Sequence, residues 1–168
     1  MTREKNPILD IVIDTREQLP WSFGGAVRVT RAALSVGDYA LVDDLGFAVE
    51  RKSLSDLAGS IGSGSGWANM MDRVARMKAA QMFGCPVVAE CTYAELIYRY
   101  SEEGRLALAA LGRPTRMTSN YMDKRCAQLF FLGMPVLFAG DRQHARRMAY
   151  RLLRQRYRNL EMEGNHDA

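Results

Sequence analysis

The stretch Gly37–Leu57, GDYALVDDLGFAVERKSLSDL, constrains this chain most. Two apolar arms flank Asp44-Leu45-Gly46, whose turn chemistry reads as the connection of an antiparallel hairpin. With the hairpin centred near Leu45, Ala40 lies opposite Glu50 and Asp38 opposite Lys52. Side chains on a strand alternate faces with period two, so the even-numbered Asp38, Glu50 and Lys52 share one face near one end. Two carboxylates and an ammonium converge there. Oxygen ligands at such spacing suit a hard cation such as magnesium. The lysine suits a phosphate, or a water that attacks one. Taken singly, each residue has a plainer reading: Asp38 caps a turn, Glu50 and Lys52 end a solvated strand, and Ser53 to Asp56 form a capping box. The arms are apolar on both faces and look like an inner strand, where charges need a reason. Odd-numbered Arg51 should point away from Glu50, bracing a carboxylate from below or bending into the site; sequence leaves both open.

Gly37-Asp38, Glu50-Arg51-Lys52 and Asp56 together resemble the GD…ERKxxxD signature of the XPF-type nuclease family. Val12 to Glu17, VIDTRE, is similar to that family's first-strand motif, DxRE. Arg76-Met77 is similar to a pair on the family's following helix. The resemblance implies the restriction-endonuclease-like fold of the PD-(D/E)XK superfamily, a three-layer α/β domain with a central mixed sheet. It implies metal-binding acids at Asp14, Asp38 and Glu50, holding Mg2+ with Mn2+ as a substitute. It implies a catalytic Lys52, supported by Glu17, Arg51 and Asp56. The implied activity is hydrolysis of DNA phosphodiester bonds at branched, flap or junction DNA, in repair, recombination or replication. Two alternatives stand beside it: a non-catalytic DNA-binding scaffold subunit, and the same chemistry on RNA. The helix-hairpin-helix modules and helicase of many family members do not fit in this length. Branch preference is therefore expected from the domain itself, a dimer or a separate targeting protein. Family nuclease domains pair through terminal helices, which implies a homodimer.

The remaining chain is expected to supply one α/β domain over residues 8–160, after a flexible segment 1–7 and before a polar tail 161–168. Ile8–Ile13 reads as a strand ending at Asp14, and Gln18–Gly25 as a loop in which Trp21 and Phe23 anchor the chain or stack on a base. Val27–Thr30 adds a short strand. A helix from Leu54 should break down in the glycine- and serine-rich Gly59–Gly66, as a mobile clamp or an unconstrained loop. Trp67–Phe83 has helical periodicity, with Arg73 and Arg76 on its polar side. Cys85–Ala89 reads as a buried strand ending at Glu90, which either approaches the metal site or caps a helix over Thr92–Tyr98. Ser101–Pro114 reads as irregular. A helix from Thr118 or Ser119 to Leu132, a strand Pro135–Ala139 and a helix Gln143–Leu160 complete the chain.

That last helix carries seven arginines between 142 and 158 and no acid. With the formal charge of +4, it points weakly to a polyanionic partner. Candidate DNA contacts are Arg16, Arg73, Arg147, Arg151 and Arg154. Cys85, Cys91 and Cys126 have no metal-like spacing and read as thiols of a reducing compartment. No secretory signal or membrane span is expected, and an intracellular location follows, cytoplasmic or nucleoid-associated in a prokaryotic or viral setting.

Overall fold

A computed structural model of the chain describes residues 8–166. Six strands form one mixed sheet: β1 (Leu9–Asp14), β2 (Val27–Ala32), β3 (Tyr39–Leu41), β4 (Asp44–Lys52), β5 (Val87–Ala89) and β6 (Val136–Phe138), in the spatial order β2-β1-β3-β4-β5-β6. β3 runs antiparallel to both its neighbours, and the other pairs are parallel. Six α-helices accompany it: α1 (Leu54–Gly62), α2 (Gly64–Ala79), α3 (Tyr93–Arg99), α4 (Glu102–Ala110), α5 (Ser119–Phe131) and α6 (Arg142–His166).

Strand alternation sorts the core into two layers. Val12, Ala40, Ala48, Val87 and Ala89 pack with Leu57, Met70, Leu96 and Leu129 of α1, α2, α3 and α5. Ile11, Tyr39, Phe47, Val49 and Val88 face the other way, onto Ala145, Ala149 and Leu153 of α6. The result is the expected three-layer α/β arrangement with a central mixed sheet. On β4 the same alternation sends Glu50 and Lys52 toward α1 and α2, and Arg51 toward α6.

The hairpin register differs from expectation. Tyr39 pairs with Val49 and Ala40 with Ala48, and the register shifts before Leu41 meets Asp44. The turn is therefore Val42-Asp43 rather than Asp44-Leu45-Gly46. Asp44 prefers another job: its carboxylate accepts the Gly46 N–H at 2.9 Å and pairs with Arg156 of α6 at 2.6 Å. The Asp38 N–H donates to Val49 O at 2.8 Å, which places Asp38 level with Glu50 instead of Lys52. The slip is an even number of residues, so the shared face of Asp38, Glu50 and Lys52 survives it.

The glycine-rich segment is helical, not a loop or clamp. Ser63 alone separates α1 from α2. Its hydroxyl accepts the Gly66 N–H at 2.9 Å and donates to Gly59 O at 2.9 Å, closing one helix and opening the next. A Cβ on Gly66 would overlap Gly59 O, and one on Gly62 would overlap Met117 Sδ. These glycines serve close helix contact. Helix propensity alone would make Gly66→Ala stabilising by about 1 kcal/mol. Overpacking reverses the sign here, and we expect a loss of roughly 1–3 kcal/mol in urea unfolding; a variant as stable as wild type would contradict this packing.

Two further differences are local. Ser101–Pro114 contains α4, N-capped by Ser101, which accepts the Gly104 N–H at 3.2 Å. Its leucines are spread around the helix, with Leu106 exposed, so no one-sided period marks it. The last helix continues past Leu160 to His166, into the stretch expected as a polar tail. The expected flexible segment 1–7 and positions 167–168 lie outside the described residues.

Candidate functional site

A cavity of about 350 Å³ opens where β1 and β4 end and β3 begins, and Asp14, Arg16, Asp38, Glu50, Lys52 and Arg73 line it. Glu17, Arg51 and Asp56 reach its wall. The fold thus gathers the sequence-expected acids and lysine at one place, but it does not give them equal roles.

Asp38 follows Gly37, whose φ of +82° and whose approach to Ala48, 2.7 Å from a would-be Cβ, exclude any side chain there. Half-buried Asp38 accepts the Arg51 N–H at 2.7 Å. Burial, and then the charge of Glu50, push its carboxyl up to about 7. Glu50 is only 1% exposed. Its Oε1 takes Lys52 Nζ at 2.9 Å and the guanidinium of Arg73, while its buried Oε2 has no hydrogen-bond partner. A buried, unpartnered carboxylate oxygen is costly and needs an explanation.

Asp14 is the opposite case. Its Oδ1 accepts the Arg16 N–H and Nε at 2.7 and 2.8 Å, and its Oδ2 accepts Arg16 Nη2 at 2.9 Å and the Leu34 N–H at 2.7 Å. The Arg16 guanidinium leads the causes that hold its carboxyl down at about 2. In this arrangement Asp14 clamps Arg16 and the Leu34 backbone, with both oxygens doubly engaged.

Arg51 realises the bracing alternative, below the site. Its Nε and Nη2 donate to Glu90 at 2.9 and 3.2 Å, and buried Glu17 lies 3.6 Å from it. Glu90 also accepts the Trp21 indole N–H at 2.8 Å and Arg142 of α6 at 3.0 Å. The sequence leaves two roles open for Glu90, at the metal site or as a helix cap. Glu90 neither caps α3, which Thr92 and Glu95 cap reciprocally, nor lines the cavity; it ties four distant segments together behind it. Trp21 is buried and stacked on Tyr39 at 4.7 Å, an anchor rather than a base platform. Asp56 sits in the first turn of α1, where Ser53 Oγ donates to it at 2.6 Å.

Among the described residues, no group of three or more His, Cys, Asp or Glu side chains is arranged to hold a metal ion. Asp38 and Glu50 still have the chemistry of a cation site: two hard oxygen donors, one with its pKa raised by burial and then by the charge of the other, and one oxygen left bare. The pair fits a divalent ion without Asp14.

The arginines separate into groups. Arg16, 64% exposed, stands at the cavity, and Arg73 reaches into it from α2. Arg147 and Arg151 are exposed on α6, beside a groove with Phe138, Met148 and Leu152, and do not line the cavity. Arg154 donates to Tyr150 Oη at 2.7 Å. Arg142 and Arg146 fasten the loop after β1, through Leu19 O at 2.7 Å and Ser22 O at 2.9 Å. No helix among the described residues is long and apolar enough to cross a membrane.

Residues 13–152 match the ERCC4 domain family. No curated protein matches the chain. Among solved structures the chain is similar to XPF from Aeropyrum pernix, at 22% identity and a TM-score of 0.59, over 93% of this chain and 69% of that one. That likeness is one of fold: a mixed sheet between helices, consistent with a restriction-endonuclease-like architecture. The family match runs from the end of β1 into α6 and so contains every residue of the cavity, from Asp14 to Arg76. The chain belongs to the ERCC4 domain family and is an XPF-type nuclease domain.

Proposed function

We propose that the chain is a metal-dependent DNA endonuclease centred on Asp38, Glu50 and Lys52. The observation that carries this reading is the buried Glu50, with one oxygen bare and the other shared by two cations. A purely structural carboxylate would be saturated, as Asp14 is. Asp38 and Glu50 would hold Mg2+, or Mn2+, which lowers the pKa of a bound water and offsets charge on the phosphate. Lys52 orients the attacking water or stabilises charge that develops on the phosphate oxygens. The Arg51 N–H fixes Asp38, and Glu90 and Glu17 hold Arg51. Asp14 presents Arg16 to a phosphate, a positioning role in place of the ligand role that the motif implies.

The substrates of this reading are flap, fork and junction DNA, acted on within the cell during repair, recombination or replication. Pairing of two copies through α6 belongs to the same proposal and rests on the resemblance.

A second reading has its own support. With Asp14 fully engaged and no three acids arranged to hold a metal ion among the described residues, the present arrangement favours a DNA-binding subunit that does not cut. A panel of labelled flap, fork and single-strand/double-strand junction DNA, with matching RNA, separates the two. We expect cutting of DNA in Mg2+ or Mn2+ that EDTA abolishes. Tight binding without cutting would select the scaffold reading, and cutting of RNA alone would reassign the substrate.

A further inference from the structure

Arg73 occupies a position that the proposed reaction does not explain. It projects from the middle of α2, and its guanidinium pairs with Glu50 Oε1, the same oxygen that Lys52 holds at 2.9 Å. It also lines two further depressions, one between α1 and α2 with Ser55, Ser60 and Asn69, and one with Asn69 and Arg76. Arg73 therefore stands at the junction of the central cavity and a polar groove that leads away from it.

We propose that Arg73 is an exchangeable counter-ion: it holds Glu50 in the absence of a divalent cation, and moves to a DNA phosphate in the groove when the cation takes its place. The inference rests on the cation site of the proposed function. Glu50 Oε1 already carries two cationic partners while Oε2 has none, and a divalent ion on this carboxylate brings a third cation against the other two, a repulsion that departure of one of them relieves. Lys52 lies on the same strand two residues away, and its side chain is 14% exposed. Arg73 belongs to a helix, is 31% exposed and has open polar space beside it. It is the partner that can leave. The groove offers the hydroxyls of Ser55 and Ser60 and the amide of Asn69 as donors to a phosphodiester, with Lys52 and the Asp56 carboxylate also in its lining, and the planar fork of Arg73 suits phosphate oxygens better than a point charge does. Glu50 is then neutralised in succession, by arginine and then by metal, and a buried charge is never left unpaired.

Because binding couplings are reciprocal, DNA that captures Arg73 also raises affinity for the cation. Calorimetric titration of Mn2+ into the full chain, without nucleic acid, tests the exchange directly. Arg73→Gln removes the competing charge and should tighten Mn2+ binding roughly tenfold, within the usual range of such couplings. Arg73→Lys keeps the charge but loses the fork, and should fall between the two; it carries the test if the glutamine variant does not fold. A short single-stranded oligonucleotide should tighten Mn2+ binding to wild type more than to Arg73→Gln. Unchanged or weaker Mn2+ affinity in both Arg73 variants, with wild type binding normally, would overturn the exchange and leave the proposed function standing. No Mn2+ binding by wild type or variant would overturn both.

Discussion

Asp38→Asn should yield a protein that is more stable than wild type at neutral pH and no longer binds divalent cations with useful affinity. The stability gain follows from the sign of the linkage. The carboxyl of Asp38 titrates at about 7 in the fold against an ordinary 3.8, so between those values the folded state holds a proton that the unfolded chain has released. Stability of the metal-free wild type therefore falls as pH rises from about 4 to about 7, and levels off above. Asparagine removes that slope and still offers an oxygen to the Arg51 N–H. The expected gain at pH 8 in EDTA is about 2–4 kcal/mol, from a shift of this size at about 1.4 kcal/mol per unit. Urea midpoints at pH 5 and pH 8 measure it. A variant destabilised at pH 8 would show that Asp38 is a structural group.

Lys52→Ala should fail differently. The ammonium lies beside Glu50, 2.9 Å from its Oε1, and its removal leaves both oxygen donors in place. We expect single-turnover cleavage to fall by about 10²–10⁴-fold, the range for losing a proton-transfer or charge-stabilising group, while calorimetric Mn2+ affinity holds or improves. Equal loss of cation binding in Lys52→Ala and Asp38→Asn would contradict this division of labour.

These expectations rest on a face that is legible in the sequence. Period-two alternation puts Asp38, Glu50 and Lys52 together, and a two-residue slip in register cannot separate them. The turn itself was not legible, because its choice depends on Asp44 meeting Arg156, 112 residues further along. The glycines from 59 to 66 look like freedom in composition, yet Gly66 and Gly62 are small because Gly59 O and Met117 press against them. Those neighbours are tertiary facts. Asp14 shows the limit of a motif: its place at the end of β1 was readable, but its engagement by Leu34, twenty residues on, was not. Glu90 was hidden for the same reason, since its partners Trp21, Arg51 and Arg142 come from three other segments. In the sequence the seven arginines of the last helix point weakly, as a group, to a polyanionic partner. Packing divides them: Arg142 and Arg146 fasten the loop after β1, Arg156 pairs with Asp44 at the start of β4, and Arg147 and Arg151 stay exposed.

The site has the character of one maintained against stability. Glu50 keeps a bare buried oxygen and Asp38 is held at a raised pKa, both unfavourable until a cation arrives. In the proposed function this pair, with Lys52, cuts DNA. The most direct test is the junction-DNA assay run on wild type and Asp38→Asn side by side, in Mg2+ and in EDTA. Metal-dependent product is expected from wild type and none from the more stable variant. Product from both proteins would place the chemistry elsewhere, and DNA binding without product from either would leave a scaffold.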